Sequence, residues 1–99
     1  MKEEHLYLVT YDIGDPKRWR RVFNVMNGYG EWVQLSVFQC RLSRQRHAEL
    51  VALLDGMIHH DQDHVLFVDV GRVEQGDPRY LTWQELSRLE SSDRWDVQL

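Results

Sequence analysis

The stretch His5-Leu6-Tyr7-Leu8-Val9-Thr10-Tyr11-Asp12-Ile13, followed at once by Gly14-Asp15-Pro16, decides how this chain folds. Its aliphatic and aromatic residues occupy both alternating positions, the pattern of a central strand covered on at least one side. Asp15 before Pro16 then starts a helix, because the carboxylate caps free N–H groups and proline suits the first helical position. Trp19, Val22, Phe23 and Met26 recur at i, i+3, i+4 and i+7, so the helix lays one apolar stripe on the sheet, and Gly28 and Gly30 end it.

Working outward, residues 32–42 read as strand, with a break around Gln34 to Ser36 left open because no glycine or proline marks a hairpin turn. Ser43 caps a second helix that carries His47, Leu50, Val51, Leu54, Met57 and Ile58 on one face. A polar loop from His59 to His64 leads into a further strand over residues 65–70. The order βαββαβ predicts an α+β, ferredoxin-like domain over residues 1–71, with two helices on one face of an antiparallel sheet and the other face open. Residues 72–99 form a C-terminal extension, with a turn at Gly76-Asp77-Pro78, a capping box at Thr82-Trp83-Gln84-Glu85 and a short strand from Trp95 to Leu99. One chain's core has little room left for Trp83, Leu86, Trp95, Val97 and Leu99, so the extension is expected to dock on a partner subunit.

With 99 residues, 42% of them apolar, the chain has material for one core only, and a domain this small gains from burying more surface by self-association. No apolar run reaches the length of a membrane span, and the opening Lys2-Glu3-Glu4-His5 is unlike a signal peptide. A cytoplasmic protein that engages no membrane is expected. Cys40, the single cysteine, excludes an internal disulfide and reads as a buried thiol. Net charge is −4, but residues 1–46 hold eight Lys and Arg against five Asp and Glu, whereas residues 47–99 hold four against eleven. The basic half can face phosphates if the acidic half points elsewhere.

Asp12 shares strand parity with Leu6, Leu8 and Thr10, where a carboxylate is costly without a partner; a functional role and a strand-end turn or capping role both fit it. Asp15 is explained by its capping position. Lys17, Arg18, Arg20 and Arg21 surround a helix whose apolar stripe is accounted for, so their charged ends reach solvent or a polyanion, and Arg41, Arg44 and Arg46 extend that surface. His59, His60, Asp61, Asp63 and His64 have a metal-ligand composition but match no zinc spacing, and a polar loop is the favoured reading. Tyr11, Ser36 and Phe38 are candidates to orient or stack on substrate, although alternation alone places Phe38 in the core.

The Tyr7-Leu8-Val9 strand, Tyr11-Asp12-Ile13, the basic helix from Lys17 to Arg21, Gly28-Tyr29-Gly30 and Val33-Gln34-Leu35-Ser36-Val37-Phe38 together resemble the CRISPR-associated Cas-two family, over roughly residues 5–70. Trp19 and Trp32 stand where that family often has a basic side chain. The resemblance implies a homodimer in which the C-terminal strand extends the partner's sheet. It implies a role in acquiring CRISPR spacers, with the dimer bridging Cas-one integrase dimers and lying along duplex prespacer DNA. It also implies an endonuclease acting on single-stranded RNA or double-stranded DNA with Mg2+ or Mn2+. Asp12 is then the metal ligand, one from each subunit across the twofold axis, with Tyr11, Ser36 and Phe38 as its catalytic neighbours. Lys17, Arg18, Arg20, Arg21, Arg41 and Arg44 form the nucleic-acid surface. Two other readings stay open: a free-standing metal-dependent nuclease, and a toxin-like or regulatory interaction domain in which Asp12 is structural.

Overall fold

The Asp15 carboxylate accepts the Arg18 backbone N–H at 2.9 Å, and Pro16 follows it as the first residue of α1 (Pro16–Asn27). Ser43 does the same for α2 (Arg44–Asp55), accepting from the Arg46 backbone N–H at 3.2 Å. Both helix starts lie where short-range capping chemistry predicts them. The structure, a computed structural model, describes residues 3–73, 80 and 84 and the backbone of 96–98. Within these, β1 (Glu4–Asp12), β2 (Glu31–Gln34), β3 (Val37–Ser43), β4 (His64–Val73) and β5 (Asp96–Gln98) form one sheet in the order β2-β3-β1-β4-β5, with every neighbouring pair antiparallel. The first four strands and two helices make the expected βαββαβ unit. Among the described residues no helix is long and apolar enough to cross a membrane.

Strand alternation divides β1 between two surfaces. Tyr7, Val9 and Tyr11 face the helices and join Phe38, Cys40, Leu42, Val65 and Phe67 of the sheet with Val22, Met26, Leu50 and Leu54 of the helices. On the other face Leu8 and Val68 form a smaller cluster with Val33, Val37 and Val70. Met57 and Ile58 lie beyond the end of α2, which stops at Gly56, yet they still pack against the main core. Burial pushes the Cys40 thiol up to about 12, so it is an inert packing group.

The break between β2 and β3 is a two-residue turn at Leu35-Ser36, with Leu35 at φ +39°. A left-handed residue without glycine carries no sequence mark, which is why the turn is hard to read from composition. Leu35 is 78% exposed, so its side chain contributes little burial to offset the strain. Leu35→Gly is expected to raise stability by about 0.5–1 kcal/mol, read as a higher urea midpoint at unchanged slope. Gly30 is bound by the opposite constraint: a Cβ there would collide with the Gln39 carbonyl oxygen and the Cys40 sulfur, both on β3. Gly30→Ala is expected to cost about 2 kcal/mol, since backbone on one side and a buried thiol on the other leave little room to yield; an unchanged melting temperature would show that β3 can move.

In the C-terminal extension the backbone of β5 pairs with β4 of the same chain, Phe67 opposite Gln98 and Asp69 opposite Asp96. Tyr80 lies beside Glu31 and Arg41 of the same chain, its hydroxyl raised chiefly by burial. The physical reason is the outer edge of β4: its unpaired N–H and C=O groups take whichever strand is near, and here the chain supplies its own. Gln84 is helical, within the expected 82–85 segment. The turn at 76–78, the rest of that segment, and the side chains of Trp83, Leu86, Trp95, Val97 and Leu99 lie outside the described residues.

Candidate functional site at the end of the first strand

Asp12 is the last residue of β1, and β1 lies between β3 and β4 in the sheet. Its parity, shared with Leu8, puts it on the face away from the helices, but it sits at the strand end and is exposed, so the cost of a carboxylate among apolar neighbours does not arise. Directly opposite in register on β4 is His64, also exposed. Thr10, Tyr11, Asp12, His64, Val65 and Leu66 line one surface depression.

The loop after Asp12 is held from below. The Asp63 side chain is fully buried and accepts the Gly14 N–H at 2.9 Å, the His59 N–H at 2.8 Å and Arg18 Nε at 2.8 Å, with Arg18 Nη2 at 3.2 Å. The Arg18 guanidinium, and then the two backbone donors, hold the Asp63 carboxyl far below the usual carboxylate range against the opposing effect of burial. This latch joins the β1–α1 loop to the α2–β4 loop. It also engages Arg18, one of the expected phosphate contacts, whose side chain donates to Asp63 and to Gln62 Oε1 at 3.2 Å. The sequence presents Asp63 as one member of a polar loop, and no local signal betrays its partner, since the pair is separated by 45 residues.

Tyr11 and Phe38 point the other way. Phe38 is completely buried, its ring centroid 6.3 Å from Tyr11 and 5.5 Å from Phe23. Tyr11 is buried beside Trp19, its hydroxyl without a hydrogen-bond partner among the described residues and raised to about 12 by desolvation. Ser36 Oγ accepts from Trp19 Nε1 at 2.8 Å, and the Ser36 carbonyl accepts the Tyr11 N–H at 3.1 Å. These three residues therefore form a packed set that ties the hairpin turn to α1.

Of the basic residues, Lys17, Arg20 and Arg21 are exposed on α1, and Lys17, Arg21 and Asn24 share a helix face at i, i+4 and i+7. Arg44 is exposed at the start of α2. Arg41 is partly buried, 3.9 Å from the Glu4 carboxylate. Arg46 lies over the Tyr29 ring at 4.3 Å and donates to the Gly28 carbonyl at 3.3 Å, which binds the end of α1 to the start of α2. The histidine loop disperses: His60 approaches the Asp55 carboxylate at 3.5 Å, Asp63 turns inward and His64 enters β4. Among the described residues no group of three or more metal-binding side chains occurs. In this depression the exposed Asp12 carboxylate supplies hard oxygen donors, a chemistry that suits Mg2+ or Mn2+, which commonly keep several waters and take only one or two carboxylates. Asp12 is the residue that would hold such an ion.

Comparison with known proteins agrees with the fold. Residues 5–77 match the family model described as CRISPR associated protein Cas2. The chain is 55% identical over 74 residues to CRISPR-associated endoribonuclease Cas2 1 of Rhodospirillum rubrum, covering 75% of this chain and 72% of the relative. It is 50% identical over 76 residues to CRISPR-associated endoribonuclease Cas2 of Geobacter sulfurreducens, covering 77% and 80%. Among solved structures, a hypothetical protein from Thermus thermophilus superposes with a TM-score of 0.67 at 35% identity, over 79% of this chain and 96% of that one. Streptococcus pyogenes Cas2 at pH 6.5 superposes with a TM-score of 0.61 at 28% identity, over 84% and 92%.

Proposed function

The chain belongs to the Cas2 family of CRISPR-associated proteins, and from that premise we propose that it serves spacer acquisition as a cytoplasmic homodimer that grips nucleic acid without reading its sequence and carries a metal-dependent phosphodiesterase site at Asp12. The observation that carries the reading is the exposed Asp12 carboxylate at the end of a central strand, on the face that the helices leave free. The names of the relatives support cleavage of RNA, and the exposed cations of α1 support contact with a phosphate backbone.

In this reading Asp12 would hold Mg2+ or Mn2+, and the chemistry such an ion would supply there is polarisation of a phosphodiester and a more acidic water. Lys17, Arg20 and Arg21 attract the strand, while Asp63 and Arg18 keep the loop after Asp12 from moving. Two subunits double the cationic stripe, so the dimer tracks duplex DNA and offers a surface to Cas-one dimers. Titrations of duplex DNA and of single-stranded RNA test the grip: affinity is expected to fall steeply with salt and to vary little with sequence, and a flat salt response overturns it. Cas-one-dependent integration tests the scaffold. Integration should require this protein and survive Asp12→Asn; integration at full rate without the protein overturns the role.

A further inference from the structure

We propose that His64 is a substrate-contacting residue of the Asp12 site, its imidazole donating a hydrogen bond to a phosphodiester oxygen of the strand held there. The inference rests on reading Asp12 as the site and adds a contact that the family features quoted above do not include.

Asp12 and His64 are register partners on adjacent antiparallel strands. Such residues share a sheet face, with Cβ atoms typically about 4.5–5.5 Å apart. Both are exposed, and both line the depression that Thr10 and Leu66 complete. The His64 side chain makes no hydrogen bond or ion pair among the described residues, so its ring nitrogens are available. The other two histidines of the loop are placed differently: His60 Nε2 donates to the Asp55 carbonyl oxygen at the end of α2, and His59 contributes its backbone N–H to Asp63.

The latch supplies rigidity. Asp63 immediately precedes His64, and its carboxylate holds the N–H of Gly14, two residues beyond Asp12. The two strand ends are thus joined both by the ladder and by a buried carboxylate, and the spacing of Asp12 and His64 is set before any ligand arrives. Preorganisation of this kind is what a phosphate contact needs, because the donor is already oriented. A metal held by Asp12 would engage one side of a phosphodiester, and His64 lies where a further oxygen of the same group, or of the next phosphate, can be met.

The test compares His64→Gln, which keeps an N–H donor, with His64→Leu, which removes it at similar bulk. Two quantities are read: KM and kcat for cleavage of a single-stranded RNA with Mg2+, and Kd for the same RNA in EDTA. His64→Leu is expected to raise KM and Kd about 5- to 10-fold with kcat within about twofold, and His64→Gln to recover most of the loss. Wild-type values for His64→Leu, or equal losses for both variants with unchanged melting temperatures, overturn the contact. The Kd arm separates this inference from its parent. An inactive wild type whose RNA affinity still drops on His64→Leu keeps the contact and overturns the catalytic reading of Asp12.

Discussion

Asp12→Asn is expected to lower metal-dependent cleavage at least about 100-fold, some 3 kcal/mol of transition-state stabilisation, while leaving the melting temperature within about 1 °C of wild type. The two halves of this expectation come from the same geometry. Asp12 is exposed at a strand end, so exchanging its carboxylate for an amide of the same shape removes no packing. The amide oxygen is a weaker ligand for a hard cation and carries no charge to offset it. Activity is measured with Mg2+ and with chelator, and dimerisation by sedimentation. Equal cleavage by variant and wild type would remove Asp12 from the chemistry. Loss of the dimer would make it a structural residue.

The second large effect belongs to Asp63. Asp63→Asn replaces a buried carboxylate that accepts from Arg18, Gly14 and His59 by a group with one acceptor oxygen and two donor hydrogens. At least one backbone N–H then loses its partner and the Arg18 guanidinium loses its counter-charge, for an expected cost of about 3 kcal/mol. The pH dependence follows from the direction of the shift. Because the folded state holds the Asp63 carboxyl below its ordinary value, the stabilisation is present above the unfolded pKa, about 3.9, and is lost as pH falls toward the lower, folded pKa. Urea midpoints between about pH 6 and 2 should show a steep acid limb in the wild type and a shallower one in Asp63→Asn. Parallel limbs would mean that other carboxylates govern acid unfolding. Since the latch also fixes the loop after Asp12, cleavage by this variant should fall even at temperatures where it stays folded.

Much of this was legible before any coordinates, and the readable parts share a cause. The start of α1 at Asp15-Pro16, its stripe of Trp19, Val22, Phe23 and Met26, and the capping role of Ser43 depend on residues within one or two helical turns of each other. Strand alternation placed Asp12 on the face of Leu6, Leu8 and Thr10. The order of elements then sufficed for the ferredoxin-like plan, because short connections and antiparallel pairing leave few alternatives.

What tertiary structure alone decided lies at contacts between distant segments. That Arg18 pairs with Asp63, that Tyr11 and Phe38 share a core while Asp12 does not, and that His64 stands opposite Asp12 are facts of register and packing between strands and loops far apart in the chain. Parity says that Tyr11 and Asp12 face opposite ways, but only the packed helices say which way is inside. The same holds for β5, whose residues form a strand wherever an edge is offered; the edge it takes here is that of its own β4. Local sequence specifies what each segment can form. Which segments then meet depends on burial and pairing free energy summed over the whole fold, and no short window of sequence contains that sum.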